Sequence, residues 1–160
     1  MKTFFYLLLL STFLFSCTNS GNTNSKEIST ESNKFDAELA KELNADNYGM
    51  KTYVMAFLKR GPNRSQDSIT ASNLQRSHLD NITKLANAGK LVLAGPFLDT
   101  GDLKGIYIFD VATIEEAKKL TESDPAIQQG SLIMELKLWY GSAALLQIMK
   151  FIKKIAKIEI

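Results

Sequence analysis

The chain has one cysteine and one histidine among 160 residues, and this scarcity excludes several kinds of site. A single thiol cannot form an internal disulfide. None of the familiar zinc-binding spacings occurs, so we predict no metal site. The chain also lacks a Gly-x-Ser-x-Gly elbow, which disfavours a serine hydrolase.

Signals for nucleotide or nucleic-acid binding are equally scarce. Gly101 and Gly105 lie close together, but without the lysine-serine ending or the strand-turn-helix context of a phosphate loop. The formal net charge is only +2, which gives little attraction for nucleic acid. We therefore predict no nucleic-acid partner.

The N-terminal segment predicts export. Residues 1–16 combine Lys2 with an apolar run that is short for a membrane span, as in a signal peptide. Leu14-Phe15-Ser16-Cys17 resembles the bacterial lipobox, in which the cysteine receives a diacylglyceryl group, although Phe15 is bulkier than usual. We predict a lipid-anchored protein at the periplasmic or cell-envelope face of a bacterial membrane. The alternative is an ordinary signal segment with an incidental cysteine.

Two short segments precede the main domain. Residues 17–34 are almost entirely polar and predict a flexible tether from lipidated Cys17, because this composition cannot bury enough apolar area to offset the entropy of ordering. In residues 35–50, Phe35, Leu39 and Leu43 are four residues apart, which predicts a short helix leading into the domain.

Residues 51–140 alternate between strand and helix signals. A run rich in Tyr, Val, Met and Phe predicts a strand over 51–58. An apolar stripe that ends at Gly89 predicts a helix over 72–88, and Thr113 is placed to cap a second helix that ends at residue 120. Further strands are predicted over 91–94, 105–111 and 131–140.

This order of strands and helices is typical of an α+β fold, the ferredoxin-like βαββαβ domain with an antiparallel sheet and both helices on one face. In the last strand, alternate side chains from Leu132 to Leu138 are apolar on one side, while Ile133 and Trp139 add apolar bulk to the other. A small domain whose sheet is apolar on both faces favours a partner, and we predict a homodimer.

His78 lies on the apolar stripe of the first helix in this domain. At about 100° per residue it falls about 40° from Leu74 and from Ile82, so it faces the sheet. Two interpretations stay open on these residues alone. His78 is either a hydrogen-bonded histidine of the core or a general acid/base in a half-buried site.

Several short motifs together resemble the YCII-related (YciI-like) domain family. They are Arg76-Ser77-His78-Leu79, Leu93-Ala94-Gly95-Pro96, Glu116-Ala117, Asp124-Pro125 and Gly130. Each is weak alone, but their order and spacing are fairly specific, and they span roughly residues 51–140. The resemblance implies a dimeric α+β barrel of ferredoxin-like subunits. It also implies a His and Asp pair at the centre of a small-molecule site, which corresponds here to His78 and Asp124.

Asp124 has a structural explanation as well. An aspartate at the N-cap with Pro125 at the first helical position is a standard opening of a short helix. Both roles are compatible, because a capping carboxylate keeps a second oxygen that can accept a hydrogen bond from an imidazole and fix its tautomer. Such a dyad abstracts a proton from a small substrate or activates a water, as in a hydrolase, lyase or isomerase, and needs no cofactor.

Basic residues suggest two further sites. Arg60 and Arg64 follow the first strand and are candidates to bind an anionic group of the substrate, together with Gly95 and Pro96 after the second strand. Solvation is the alternative for such loop charges.

Residues 141–160 predict an amphipathic helix with lysines on one side. This helix either lies on an anionic membrane or packs on the domain or across the dimer.

Two functions are compatible with these observations. One is a small cell-envelope enzyme that uses His78 and Asp124 for proton transfer. The other is a lipoprotein that binds a small ligand, or has a structural role, without catalysis. A hydrogen bond between the two side chains beside an open pocket favours the enzyme, whereas a His78 bonded only to backbone in a dry core argues against it.

Overall fold

The structure is a computed structural model that describes residues 34–158. The predicted signal peptide, the lipobox cysteine Cys17 and nearly all of the predicted tether lie outside the described residues. The short lead-in helix is present as α1 (Ala37–Glu42), where Asp36 caps the first turn.

The main domain follows the predicted order of strands and helices. Its elements are β1 (Met50–Arg60), α2 (Ser68–Asn87), β2 (Leu91–Pro96), β3 (Leu103–Phe109), α3 (Ile114–Thr121), the short α4 (Pro125–Gln128) and β4 (Leu132–Ser142). A 3-10 helix (Ala143–Gln147) and α5 (Ile148–Ile155) follow the last strand.

The four strands form one antiparallel sheet in the order β2-β3-β1-β4. The two central strands, β1 and β3, are joined through α2 and β2, so the helical crossover lies on one face of the sheet. This is the order that a ferredoxin-like βαββαβ chain produces. The prediction of an α+β domain with a four-stranded antiparallel sheet is therefore confirmed.

The two faces of the sheet are covered differently. On the helix-covered face, Val54 and Phe109 are fully buried, and they pack with Leu85 of α2 and Ala117 of α3. Burial of each large apolar side chain there contributes about 1.5–3 kcal/mol to folding. This face contains the main core.

The opposite sheet face is only partly covered. Tyr53, Val92 and Ile108 are buried there, and Leu145 and Leu146 of the 3-10 helix pack against them. Farther along β1 and β4, Phe57 stays half-buried and Ile133 is 47% exposed. Apolar surface of this face therefore remains in solvent.

Helix α2 begins four residues before the predicted start at residue 72. The Asp67 carboxylate accepts hydrogen bonds from the backbone N–H groups of Ile69 and Thr70, at 2.9 and 3.0 Å, and so caps a turn that the apolar stripe does not reach. The end of the helix is as predicted. Gly89 has φ +68°, a left-handed conformation that suits glycine after a helix.

The amphipathic helix predicted within residues 141–160 begins later than residue 141. β4 extends to Ser142 because Met50 of β1 pairs with it, and the α-helix covers only Ile148–Ile155. Phe151, Ile152 and Ile155 of α5 are 61%, 42% and 79% exposed, whereas Ile148 and Met149 at its start are half-buried. No helix within residues 34–158 is long and apolar enough to cross a membrane.

Candidate active site

His78 and Asp124 are brought together between α2 and α4. The Nδ1 atom of His78 lies 2.7 Å from Oδ2 of Asp124. Both side chains are buried, with 7% of His78 and none of Asp124 exposed to solvent. Since an unpartnered charge is costly at such depth, the pairing is what makes a buried carboxylate tolerable here.

The position of Asp124 comes from local sequence chemistry. As the N-cap of α4, it accepts a hydrogen bond at 2.8 Å from the backbone N–H of Ala126 through Oδ1, while Pro125 occupies the first helical position. One carboxylate oxygen is thus used by the cap. The other is held towards the imidazole.

Tyr107 extends the pair into a chain of three side chains. Its hydroxyl lies 3.2 Å from Nε2 of His78, its ring is stacked near the imidazole with 6.3 Å between centroids, and only 3% of the residue is exposed. A carboxylate only accepts hydrogen bonds, so Nδ1 donates to Asp124, and Nε2 of the neutral imidazole accepts from the Tyr107 hydroxyl.

The environment favours the protonated form of Tyr107. Burial raises the pKa of its hydroxyl well above the ordinary value of 10.0, and the nearby Asp124 carboxylate adds to the effect. At neutral pH, Tyr107 therefore carries a proton and can donate it.

A cavity of about 520 Å³ lies beside this chain, between α2 and the sheet. His78 and Tyr107 line it, and α2 contributes Ala71, Leu74 and Ile82 from the same stripe. Most of the lining is apolar, as in binding sites for small molecules. His78 therefore lies in the wall of a pocket, and its partners are side chains.

The candidate substrate-binding residues are divided by the structure. Arg64, Gly95 and Pro96 line the cavity, and the Arg64 guanidinium donates a hydrogen bond to the backbone carbonyl of Ser131 at 3.1 Å. Arg60 is not among the lining residues. Its Nε lies 3.4 Å from the Asp102 carboxylate, which makes a surface ion pair.

Comparisons with known proteins identify the family of this chain. The sequence profile of the YCII-related domain matches residues 52–140. This chain belongs to the YCII-related domain family. No curated protein matches it.

Among solved structures, the YCII-related domain is similar to a 5-chloro-2-hydroxyhydroquinone dehydrochlorinase from Burkholderia phenoliruptrix AC1100, in complex with 2,5-dihydroxybenzoquinone. The two chains are 19% identical and superpose with a TM-score of 0.41. The match covers 54% of this chain and 92% of the dehydrochlorinase.

A metal centre has no ligand set in the described part of this YCII-related protein. Within residues 34–158, no three His, Cys, Asp or Glu side chains are grouped so that they hold a metal ion. The cavity wall carries the His78 imidazole and the Tyr107 phenol, with Arg64 and Lys104 as charged neighbours, and the Asp124 carboxylate lies behind the imidazole.

Tyr107 is the site residue that the sequence analysis missed. A signal for it was present, because period-two alternation places Gly105, Tyr107 and Phe109 on one face of β3. Phe109 packs in the helix-covered core, so Tyr107 had to face α2 as well. What the alternation does not give is the atom that the hydroxyl meets.

Proposed function

We propose that this protein is a small-molecule enzyme in which His78 is the general acid/base and Asp124 orients it. The observation that carries the proposal is the 2.7 Å contact between Nδ1 and Oδ2 in the wall of a cavity of about 520 Å³. A histidine that served the core alone needs a hydrogen-bond partner, but it does not need a pocket.

In this proposal each ring nitrogen has its own role. Nδ1–H is held by the carboxylate, so the proton enters and leaves the ring at Nε2, on the side of Tyr107. When Nε2 gains a proton, the imidazolium is stabilised by the buried Asp124 carboxylate next to it. This arrangement suits proton transfer in a hydrolase, lyase or isomerase reaction.

Screening for activity tests the proposal. Purified protein is assayed against panels of small cyclic and aromatic compounds beside His78→Ala, with Arg76→Ala as the matched control on the exposed side of α2. We expect His78→Ala to lower kcat by about 10²- to 10⁴-fold, the usual contribution of a general acid/base, and Arg76→Ala to leave it unchanged. Equal turnover by wild type and His78→Ala would remove His78 from the mechanism.

The second candidate is a binding protein without catalysis. It is favoured by one observation, that both ring nitrogens of His78 have side-chain partners within the protein. Under this alternative, compounds bind in the cavity with measurable affinity, and His78→Ala changes that affinity while no compound is turned over.

We propose that the protein is a homodimer that uses the partly covered sheet face. The half-buried Phe57 and the exposed Ile133 support this, because a second copy of the same face would remove their apolar surface from water. Analytical ultracentrifugation measures the association directly, and a monomer at all concentrations would contradict it.

We also propose that the protein is exported and anchored through a lipid on Cys17. The support is the lipobox-like Leu14-Phe15-Ser16-Cys17 and the polar stretch after it. In an expressing bacterium fed labelled palmitate, the wild type should incorporate label and Cys17→Ala should not. Equal labelling of both proteins, or of neither, would contradict the proposal.

A further inference from the structure

We propose that Tyr107 is the residue that exchanges the proton with the substrate, and that His78 acts behind it as the second member of a Tyr107–His78–Asp124 relay. The inference rests on the proposed function and adds a catalytic residue and a substrate class to it. It starts from the position of the Tyr107 hydroxyl, 3.2 Å from Nε2 of His78.

The Tyr107 hydroxyl occupies the place where a substrate proton would otherwise meet the imidazole. An imidazole nitrogen has a single lone pair, which accepts one hydrogen bond in the plane of the ring. Tyr107 is the partner of Nε2 in the described structure. A substrate hydroxyl that reaches Tyr107, which lines the cavity, can therefore donate to the phenol oxygen, which has lone pairs to spare, without displacing the partner of Nε2.

The relay transfers two protons in one direction. A substrate O–H donates to the Tyr107 oxygen. The substrate O–H bond breaks as a new O–H bond forms on Tyr107, and the original hydroxyl proton of Tyr107 passes to Nε2 of His78. The products are a substrate oxyanion, a neutral Tyr107 and an imidazolium paired with the Asp124 carboxylate. In the reverse direction, the same hydroxyl protonates an oxyanion or a leaving group.

The relay also selects a class of substrate. Proton transfer through a hydroxyl is suited to heteroatom acids, and the mostly apolar lining suits a ring. Arg64, at the cavity wall, has no carboxylate partner among the described ion pairs and adds positive charge for an anionic product. We therefore infer a small cyclic enol or phenol as the substrate class.

The experiment uses 4-nitrophenol as the probe, because its colour reports whether the bound molecule is phenol or phenolate. Wild type is compared with Tyr107→Phe, His78→Ala and Tyr53→Phe. The last variant removes a hydroxyl from a second buried tyrosine, on the opposite sheet face. Toluene, which has a similar ring and no hydroxyl, is titrated in parallel to show that each cavity is intact.

In the wild type we expect the ratio of bound phenolate to bound phenol to exceed the ratio in solution by about tenfold or more, equivalent to at least one pKa unit. Tyr107→Phe and His78→Ala should each lose this excess and keep toluene affinity, and Tyr53→Phe should keep both. If His78→Ala loses the excess but Tyr107→Phe retains it, Tyr107 is not in the relay and the proposed function stands.

The remaining outcomes also decide the question. If all four proteins show the same phenolate excess, or if the wild type shows none, then neither the relay nor His78 accepts the proton, and both proposals fail. If Tyr107→Phe loses toluene affinity to the same extent as 4-nitrophenol affinity, its role is to shape the cavity, and the relay is overturned.

Discussion

Tyr107 and Tyr53 are both buried in the sheet, one on each face, and their hydroxyl groups have different partners. The Tyr53 hydroxyl donates to the backbone carbonyl of Ser142 at 3.1 Å, beneath the 3-10 helix. The Tyr107 hydroxyl instead meets an imidazole that is held from behind by a carboxylate, at the wall of a cavity.

This difference distinguishes a tyrosine in a structural role, Tyr53, from one in a proposed chemical role, Tyr107. A buried hydroxyl needs one hydrogen-bond partner, and a backbone carbonyl is sufficient for stability. The Tyr107 hydroxyl has more than this, because its partner His78 is itself paired with the Asp124 carboxylate. The helix-covered face therefore holds the candidate site.

The largest expected difference between the two tyrosine environments comes from replacing the aspartate near each one by alanine. Asp124→Ala deletes a helix cap and leaves Nδ1 of the buried imidazole without its partner, for a loss of about 2–4 kcal/mol in the free energy of unfolding. Asp110→Ala, which deletes the partly exposed partner of Lys51 near Tyr53, should cost about 1 kcal/mol or less. Urea denaturation measures both, and equal losses would contradict the assigned roles.

Alkaline pH tests the burial of both tyrosines. Burial, with a smaller contribution from Asp110, raises the pKa of Tyr53 from 10.0 to about 12, and the pKa of Tyr107 is also raised. A pKa that is higher in the folded protein gives stability that is complete below the unfolded value and is lost as pH rises through the folded value.

Stability should therefore fall above about pH 10, and Tyr53 alone should account for about 1 kcal/mol by about pH 11. Tyr53→Phe and Tyr107→Phe should each flatten this decline in urea denaturation series. A decline of the same steepness in wild type and both variants would mean that the hydroxyls ionise as freely in the folded protein as in the unfolded one.

Assembly through the partly covered face should respond to single charges on β4. Ile133→Lys places a cation on that face and should raise the dimer dissociation constant at least about tenfold, or about 1.4 kcal/mol. Leu138→Lys is the matched control, because Leu138 is also exposed on β4 but pairs with Val54 on the other face. Equal effects of the two variants in sedimentation would place the interface elsewhere.

The smallest expected effect distinguishes Arg60, the last residue of β1, from Arg64 in the loop after it. Arg64 lines the cavity and Arg60 pairs with Asp102, so Arg64→Ala should weaken 4-nitrophenolate binding a few-fold and Arg60→Ala should not. Calorimetric titration compares them. A larger loss in Arg60→Ala would show that the ion pair with Asp102 opens towards the ligand.

Local chemistry explains which parts of the fold could be predicted from the sequence. Thr113 caps α3 and Asp124 caps α4 as predicted, because a side-chain oxygen next to orphan N–H groups is a short-range signal. The end of β4 was not predictable in this way. Its extension to Ser142 depends on pairing with Met50, which is far away in the sequence.

The candidate site, too, could be predicted only where short-range signals in the sequence determine it. Helical periodicity turns His78 towards the sheet, but its nearness to Asp124 came from the family resemblance, since 46 residues separate the two. Tyr107 was missed because alternation gives the face of a strand and not the atom that a hydroxyl meets. The cavity itself depends on the distance between α2 and the sheet, which no local pattern encodes.

The most direct test of the His78 site is heteronuclear NMR of the imidazole nitrogens, which are unambiguous because the chain has a single histidine. In the neutral ring we predict hydrogen on Nδ1, with Asp124→Asn shifting chiefly the Nδ1 signal and Tyr107→Phe chiefly the Nε2 signal. A hydrogen on Nε2, or signals that neither variant changes, would contradict the Tyr107–His78–Asp124 chain and the proton transfer we assign to it.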